Sequence, residues 1–139
     1  MPVNLEIVSP EKLLLSRDVD MVVIPASEGD MGVLEGHAPM MVTLRGGVVS
    51  LYEGDRVTDT LFVAGGFAEI TPERCTVLAG EAMPVNEIER SEAEKRLRDA
   101  EEAVAQVDGS NPVEEEMALE RIQSSRAMLE AVDGLLTGH

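Results

Sequence analysis

Histidine is the first place to look for chemistry in this chain, and His37 is the only internal one. It lies in Gly36-His37-Ala38-Pro39. A catalytic histidine needs a nucleophile or a carboxylate beside it, and the chain has neither a Gly-x-Ser-x-Gly elbow nor a cysteine partner in sequence. We therefore expect His37 to make structural or loop contacts, and we predict no catalytic residue. His139, the last residue, is expected to be disordered.

Carboxylates are the second candidate, because Glu28, Asp30 and Glu35 share one glycine-rich segment. Close carboxylates can serve acid–base chemistry or bind calcium, but the spacing of a calcium-binding EF-hand is absent. Cys75 is the single cysteine, so no internal disulfide is available, and no Cys/His spacing resembles a zinc site. We predict solvated carboxylates, no metal and no cofactor.

Two glycine pairs, Gly46-Gly47 and Gly65-Gly66, could suggest phosphate binding. Neither continues into Gly-Lys-Ser/Thr and neither opens a helix, which a phosphate-binding loop requires. Glycine inside a strand pattern more often marks a bulge or a close backbone approach between strands. We predict that the pairs have this structural role.

Composition limits the classes of protein and partner. The chain has 139 residues with 27 Asp+Glu against 11 Lys+Arg, a formal net charge of −16, yet 44% of it is hydrophobic. The apolar content predicts a folded core rather than an acidic disordered tail. The charge disfavours nucleic acid and anionic lipid as partners. Without an 18-residue apolar run or a signal peptide, the sequence indicates a soluble cytosolic protein with no lipid insertion.

The first part of the chain has the pattern of short strands. Val3, Leu5 and Ile7 alternate with polar residues, as in a half-buried strand. Further strands are predicted at 12–15, 19–24, 40–44, 48–53, 57–63, 68–70 and 75–79, with a hairpin turn at 53–56. So many short strands without a helix among them predict an all-β antiparallel sandwich or flattened barrel, which we assign to residues 1–85.

The remaining residues, 86–139, have the pattern of an antiparallel two-helix hairpin. Asn86 followed by Glu89 predicts a capping box at the first helix, and Asn111 followed by Pro112 predicts the start of the second. The first helix is expected to stop at 108–110. The two apolar stripes consist of Ala93, Leu97, Ala100, Val104 and Val107, and of Ala118, Ile122, Ser125, Leu129, Val132 and Leu136. These stripes are rich in alanine, so we expect the hairpin to be attached only modestly to the sandwich.

Specific motifs give the chain a resemblance to a known family. Residues 24–39 read IPASEGDMGVLEGHAP, residues 44–48 read LRGGV, and residues 62–70 read FVAGGFAEI. Together with TVLA at 76–79 and VSPE at 8–11, these segments resemble the epsilon subunit of F-type ATP synthase, at the expected distances along nearly the whole chain.

The resemblance implies a non-catalytic rotor subunit that couples proton translocation to ATP synthesis. It implies a ten-stranded sandwich that binds the gamma subunit and rests on the ring of c subunits, at the cytoplasmic face of the bacterial inner membrane. The resemblance implies that a loop over 28–32, with the neighbourhood of His37, faces the polar loops of the c-ring. The residues in question are Glu28, Gly29, Asp30, Met31, Gly32 and His37.

For the helical hairpin, the resemblance implies two conformations, folded on the sandwich or extended into the alpha/beta catalytic head, where it inhibits ATP hydrolysis. The basic residues that would meet an acidic segment of beta are Arg90, Lys95, Arg96, Arg98, Arg121 and Arg126. Relatives that bind ATP do so through a motif whose aligned positions here are Ile88, Glu89, Glu92 and Ala93. Glu92 replaces an arginine that would contact phosphate, so we predict no useful ATP binding.

Two alternatives stay open at this stage. One is a free-standing small-molecule sensor or binding module, which would need a pocket with convergent polar groups. The other is a hydrolase built on His37 and the acidic segment.

Overall fold

The structure is a computed structural model that describes residues 2–136. Ten strands precede one 3-10 turn and two helices. The strands are β1 Val3–Val8, β2 Leu13–Val19, β3 Met21–Ala26, β4 Gly29–Val33, β5 Met40–Leu44, β6 Gly47–Glu53, β7 Arg56–Val63, β8 Gly66–Ile70, β9 Arg74–Leu78 and β10 Ala82–Pro84. The 3-10 turn is Val85–Glu87, and the helices are α1 Arg90–Ala105 and α2 Pro112–Leu136. The predictions for His139 and for the side chain of Leu136 lie outside the described residues.

The strands follow one hydrogen-bonded order, β10-β7-β6-β3-β5-β8-β9-β1-β2, with β4 on the free edge of β3. A single residue pair, Ala26 with Leu44, joins β3 to β5. The sheet folds at this junction into two five-stranded layers that bury their inner faces against each other. The predicted sandwich and the hairpin turn at 53–56 are confirmed, the turn by the pairing of Glu53 with Arg56.

Three expectations about the strands need correction. The sandwich is not wholly antiparallel, because β1 and β9 pair in parallel. The sequence pattern also missed two strands. β4 lies where a loop was predicted, and β10 has only three residues, too few to show a period.

The core between the layers is aliphatic. Alternate residues of β1 and of β6, including Leu5, Ile7 and Val49, are fully buried there. Cys75 lies in the same core, and burial raises the pKa of its thiol to about 12. A second cluster of Phe62, Val85, Ala93 and Met128 lies on the outer face of the layer that contains β7. The helices are attached to the sandwich through this second cluster.

The start of α1 differs from the predicted capping box. Asn86 lies in the 3-10 turn, and the N-cap of α1 is Glu89, which makes no side-chain capping hydrogen bond. Burial of Val85 between sandwich and helices fixes this turn, so packing outweighs the capping preference of Asn86. The prediction for α2 is correct, because the Asn111 side chain accepts from the N–H groups of Val113 at 3.1 Å and Glu114 at 3.3 Å.

The end of α1 and the stripe of α2 also differ from expectation. α1 ends at Ala105, three residues before the predicted stop at Asp108. Among the side chains of α2 that the structure describes, those of Ser125, Met128 and Val132 are buried most deeply. Met128 was not predicted; it lies one position before the predicted Leu129, so the buried face is rotated from the one that the sequence indicated.

Candidate functional site

The segment predicted to face the c-ring forms a β-hairpin rather than a loop. β4 pairs with β3 from Ala26 with Gly29 to Val22 with Val33, which leaves Ser27 and Glu28 as a two-residue turn. The prediction of a loop over 28–32 is therefore wrong. Two glycines within five residues hide the strand pattern in the sequence, and the backbone hydrogen bonds to β3 hold this segment as a strand. Glu28 stands exposed at the tip of this hairpin.

Asp30 is on the exposed side of the hairpin but its carboxylate has a partner. Arg45 Nη2 lies 2.7 Å from Asp30 Oδ1, and Arg45 Nη1 donates to the carbonyl of Ala26 at 2.6 Å. The Asp30 side chain remains 63% exposed. Any cationic partner at this tip would meet the free carboxylate of Glu28 first, while it would compete with Arg45 for Asp30.

A groove of about 480 Å³ opens between the hairpin and β5. Glu28, Gly29, Asp30 and Met31 line one side, and residues 40–43 line the other. On that second side Met41 is 63% exposed, an unusual position for a large apolar side chain. A role for the methionine pair at 40–41 was not predicted, although two methionines directly after Pro39 are a visible signal in the sequence.

Gly32 and His37 do not belong to this groove. Gly32 lies within β4, paired with Val23. His37 lies four residues after Val33, the end of β4 opposite the tip. The His37 imidazole is half-buried and its Nδ1 donates to the carbonyl of Ala38 at 2.9 Å. No carboxylate is paired with His37 among the described residues, which leaves the hydrolase alternative without a catalytic arrangement.

The predicted regulatory basic residues divide into two groups. Arg96 pairs with Glu81 of the sandwich at 2.5 Å and with Glu92 at 3.5 Å, and Arg90 pairs with Asp133 of α2 and with Glu94. The hydrogen bond to Glu81 raises the pKa of the Arg96 guanidinium. The other four, Lys95, Arg98, Arg121 and Arg126, are exposed and make no ion pair within residues 2–136.

The residues aligned with the ATP motif take part in packing, in helix capping and in an ion pair. Ile88 packs against the second cluster, Glu89 is the N-cap of α1 and Ala93 is fully buried. The carboxylate of Glu92 lies beside Arg96, where it neutralises part of the charge that a phosphate would need.

Within residues 2–136, no helix has both the length and the apolar character needed to cross a membrane. The same residues contain no group of three or more histidine, cysteine and acidic side chains that could hold a metal ion.

Comparisons with known proteins agree with each other. The family model for the ATP synthase delta/epsilon chain β-sandwich domain matches residues 2–85. The "ATP synthase epsilon chain" of Granulibacter bethesdensis is 66% identical over 128 residues, 92% of this chain and 95% of the relative. The protein of the same name from Gluconacetobacter diazotrophicus is 46% identical over 96% of this chain and 95% of its own length.

A solved structure matches the whole fold. A chain in the cryo-EM structure of the Euglena gracilis mitochondrial ATP synthase, comprising OSCP, F1 and the c-ring in rotational state 1, superposes with a TM-score of 0.74 at 25% identity. The match covers 94% of this chain and 81% of that chain. The sandwich and the helices therefore occur together in both proteins.

Proposed function

The chain belongs to the ATP synthase epsilon family, and from that premise we propose that it is a non-catalytic rotor subunit that links gamma to the c-ring of a proton-translocating F-type ATP synthase. The observation that carries the proposal is the 66% identity over 92% of the chain to a named epsilon chain. We place it peripherally, at the cytoplasmic face of the bacterial inner membrane. It should co-purify with gamma in a fixed ratio, and its absence from purified ATP synthase would refute the proposal.

We propose that the tip of the β3–β4 hairpin and the groove beside it contact the polar loops of the c-ring. The support is chemical: the groove combines exposed methionine with the carboxylates of Glu28 and Asp30, which suits a loop that carries an apolar and a basic side chain. Such charged rims fix register and specificity more than affinity. On this geometry His37 and Gly32 contribute less than the resemblance implies.

A crosslinking experiment tests this contact. Asp30→Cys in the assembled complex should crosslink to a cysteine placed in the c-subunit loop. Asp55→Cys is the matched control, because Asp55 is also an exposed acid in a hairpin turn. The neighbouring Gly54 N–H donates to Asp20, at the opposite end of β3 from the tip. Equal crosslinking of both variants would contradict the proposed contact.

We propose that residues 86–139 form a separate regulatory unit that limits ATP hydrolysis when it leaves the sandwich. Its support is that the helices pack on the sandwich through a cluster of their own, separate from the core between the layers, and through polar pairs such as Arg96 with Glu81. Deleting residues 86–139 and measuring synthesis and hydrolysis separately in the complex tests the role. Unchanged hydrolysis would rule out inhibition.

We also propose that this chain does not use ATP as a ligand of the helical hairpin, because Glu92 replaces the phosphate-binding arginine and the carboxylates of Glu92 and Glu81 both lie beside Arg96. Calorimetry on the isolated subunit should show no ATP isotherm; micromolar to millimolar binding would overturn this. No observation favours the alternative of a free-standing small-molecule sensor.

A further inference from the structure

The backbone at Gly46 has an unusual hydrogen-bonding partner. Gly46 lies between β5 and β6, where the chain passes from one layer to the other. Its N–H donates to Gln123 Oε1 at 2.9 Å, and its carbonyl accepts from Gln123 Nε2 at 2.7 Å. One side-chain amide of α2 therefore satisfies both peptide groups of Gly46, as a neighbouring strand would do in a ladder.

The same position requires a glycine for a steric reason. A Cβ at Gly46 would lie 2.6 Å from Ser124 Cα and 2.9 Å from Ser124 Cβ. Backbone atoms of a helix cannot move away from such a contact by a rotamer change, so α2 would have to shift as a whole. The prediction for Gly46 was a close approach between strands; the structure instead brings helix α2 against this glycine.

From these observations we infer that Gln123 and Gly46 form a latch that sets how often the helical hairpin leaves the sandwich. A polar latch suits reversible release, because water replaces both hydrogen bonds on opening and the net cost per bond is small. The part of the inference that concerns hydrolysis rests on the proposed function. The latch itself is a property of the isolated chain.

The test measures how often a buried thiol on α2 becomes exposed in the full-length subunit. Ser125 is 7% exposed at the junction of α1, α2 and the sandwich, and Ser125→Cys is nearly isosteric. The natural Cys75 is fully buried in the other core, so it stays unreactive while the sandwich is folded and reports global unfolding when it is not. Maleimide labelling of the Ser125→Cys background then follows release of the hairpin.

Three variants in this background act on the latch. Gln123→Ala removes both hydrogen bonds and should speed labelling about 10- to 30-fold. Gln123→Glu can still accept from Gly46 N–H but cannot donate to its carbonyl, so it should also speed labelling. Gly46→Ala forces the helix away and should have the largest effect.

Matched controls separate the latch from general damage. Gln106→Ala removes an exposed glutamine at the end of α1, and Gly80→Ala adds a Cβ that meets nothing within 4 Å. Neither should change labelling more than about twofold. If Gly46→Ala also exposes Cys75, the sandwich itself has been disrupted and the two Gln123 variants decide the question.

Labelling of Gln123→Ala at the rate of the unaltered background would overturn the latch. Faster labelling with unchanged hydrolysis in the assembled enzyme would instead keep the latch and refute regulation by the hairpin. The two proposals therefore fail by different measurements.

Discussion

Met128→Ala should loosen the helical hairpin while it leaves the sandwich core intact. Met128 is 2% exposed and packs with Phe62, Val85 and Ala93 in the second cluster, apart from the core between the layers. Truncating a buried methionine costs about 2–4 kcal/mol through lost transfer energy and the cavity that remains. Because the contact lies between helix and sandwich, most of that cost should lower the free energy that holds the helices on the sandwich.

Hydrogen exchange measured by peptide mass spectrometry resolves the two regions. A change of roughly 1.4 kcal/mol alters an equilibrium constant about tenfold. Amides of α2 should therefore exchange about 30- to 700-fold faster in Met128→Ala, while the exchange rates of β1 and β9 stay unchanged. Met117→Ala is the matched control, since Met117 is on the same helix and is 64% exposed. Equal acceleration in β1 and in α2 would show one cooperative unit and refute the division between residues 1–85 and 86–139.

Two further predictions concern single residues. Burial raises the pKa of the Cys75 thiol from 9.0 to about 12, so this thiol stays neutral in the folded chain while it ionises in the unfolded chain. The free energy of unfolding should therefore fall as pH rises above about 9. A Cys75→Ser chain should lose that pH dependence in denaturant titrations. Asn111→Ala should destabilise the hairpin by about 1 kcal/mol in hydrogen exchange, because it removes a cap. Asn86→Ala should cost less than about 0.5 kcal/mol, since Asn86 is exposed in the 3-10 turn. A larger loss at Asn86 than at Asn111 would contradict the observed caps.

The sequence predicted elements well where local chemistry decides them. The alternation of Val3, Leu5 and Ile7 and the Asn111-Pro112 start are local signals, and both elements are present. β4 pairs with its neighbour β3, and its two glycines hide the strand pattern. The parallel pairing of β1 with β9 depends on a partner far along the chain, which periodicity does not contain. The burial of Met128 could not be predicted for a similar reason, since the side from which the sandwich contacts α2 is set by the tertiary structure.

The location of the candidate site could be predicted from the sequence, whereas the side-chain contacts within the structure could not. The motif that contains Glu28 and Asp30 identified the tip, and four of the six expected residues, Glu28 to Met31, line one groove. The pairing of Asp30 with Arg45 could not be anticipated, because the two residues meet only through the β3–β5 junction. The Gln123 latch was missed for a similar reason: a glutamine on a helix carries no signal of its own until a glycine backbone lies opposite.

The distribution of charge predicts how salt should act on the inhibition that we propose for the helical hairpin. Arg90 and Arg96 are engaged in internal ion pairs, while the exposed basic residues of both helices are outnumbered by acidic ones. Against an acidic segment of a catalytic subunit, such a hairpin is repelled on balance, and salt screens repulsion between exposed charges over about 10 Å at 0.1 M. Inhibition, measured as the difference in hydrolysis between the intact complex and one without residues 86–139, should therefore grow as salt is raised. If inhibition weakens with salt instead, attraction by Lys95, Arg98 and Arg121 outweighs the acidic surroundings, and the reasoning from net charge is wrong.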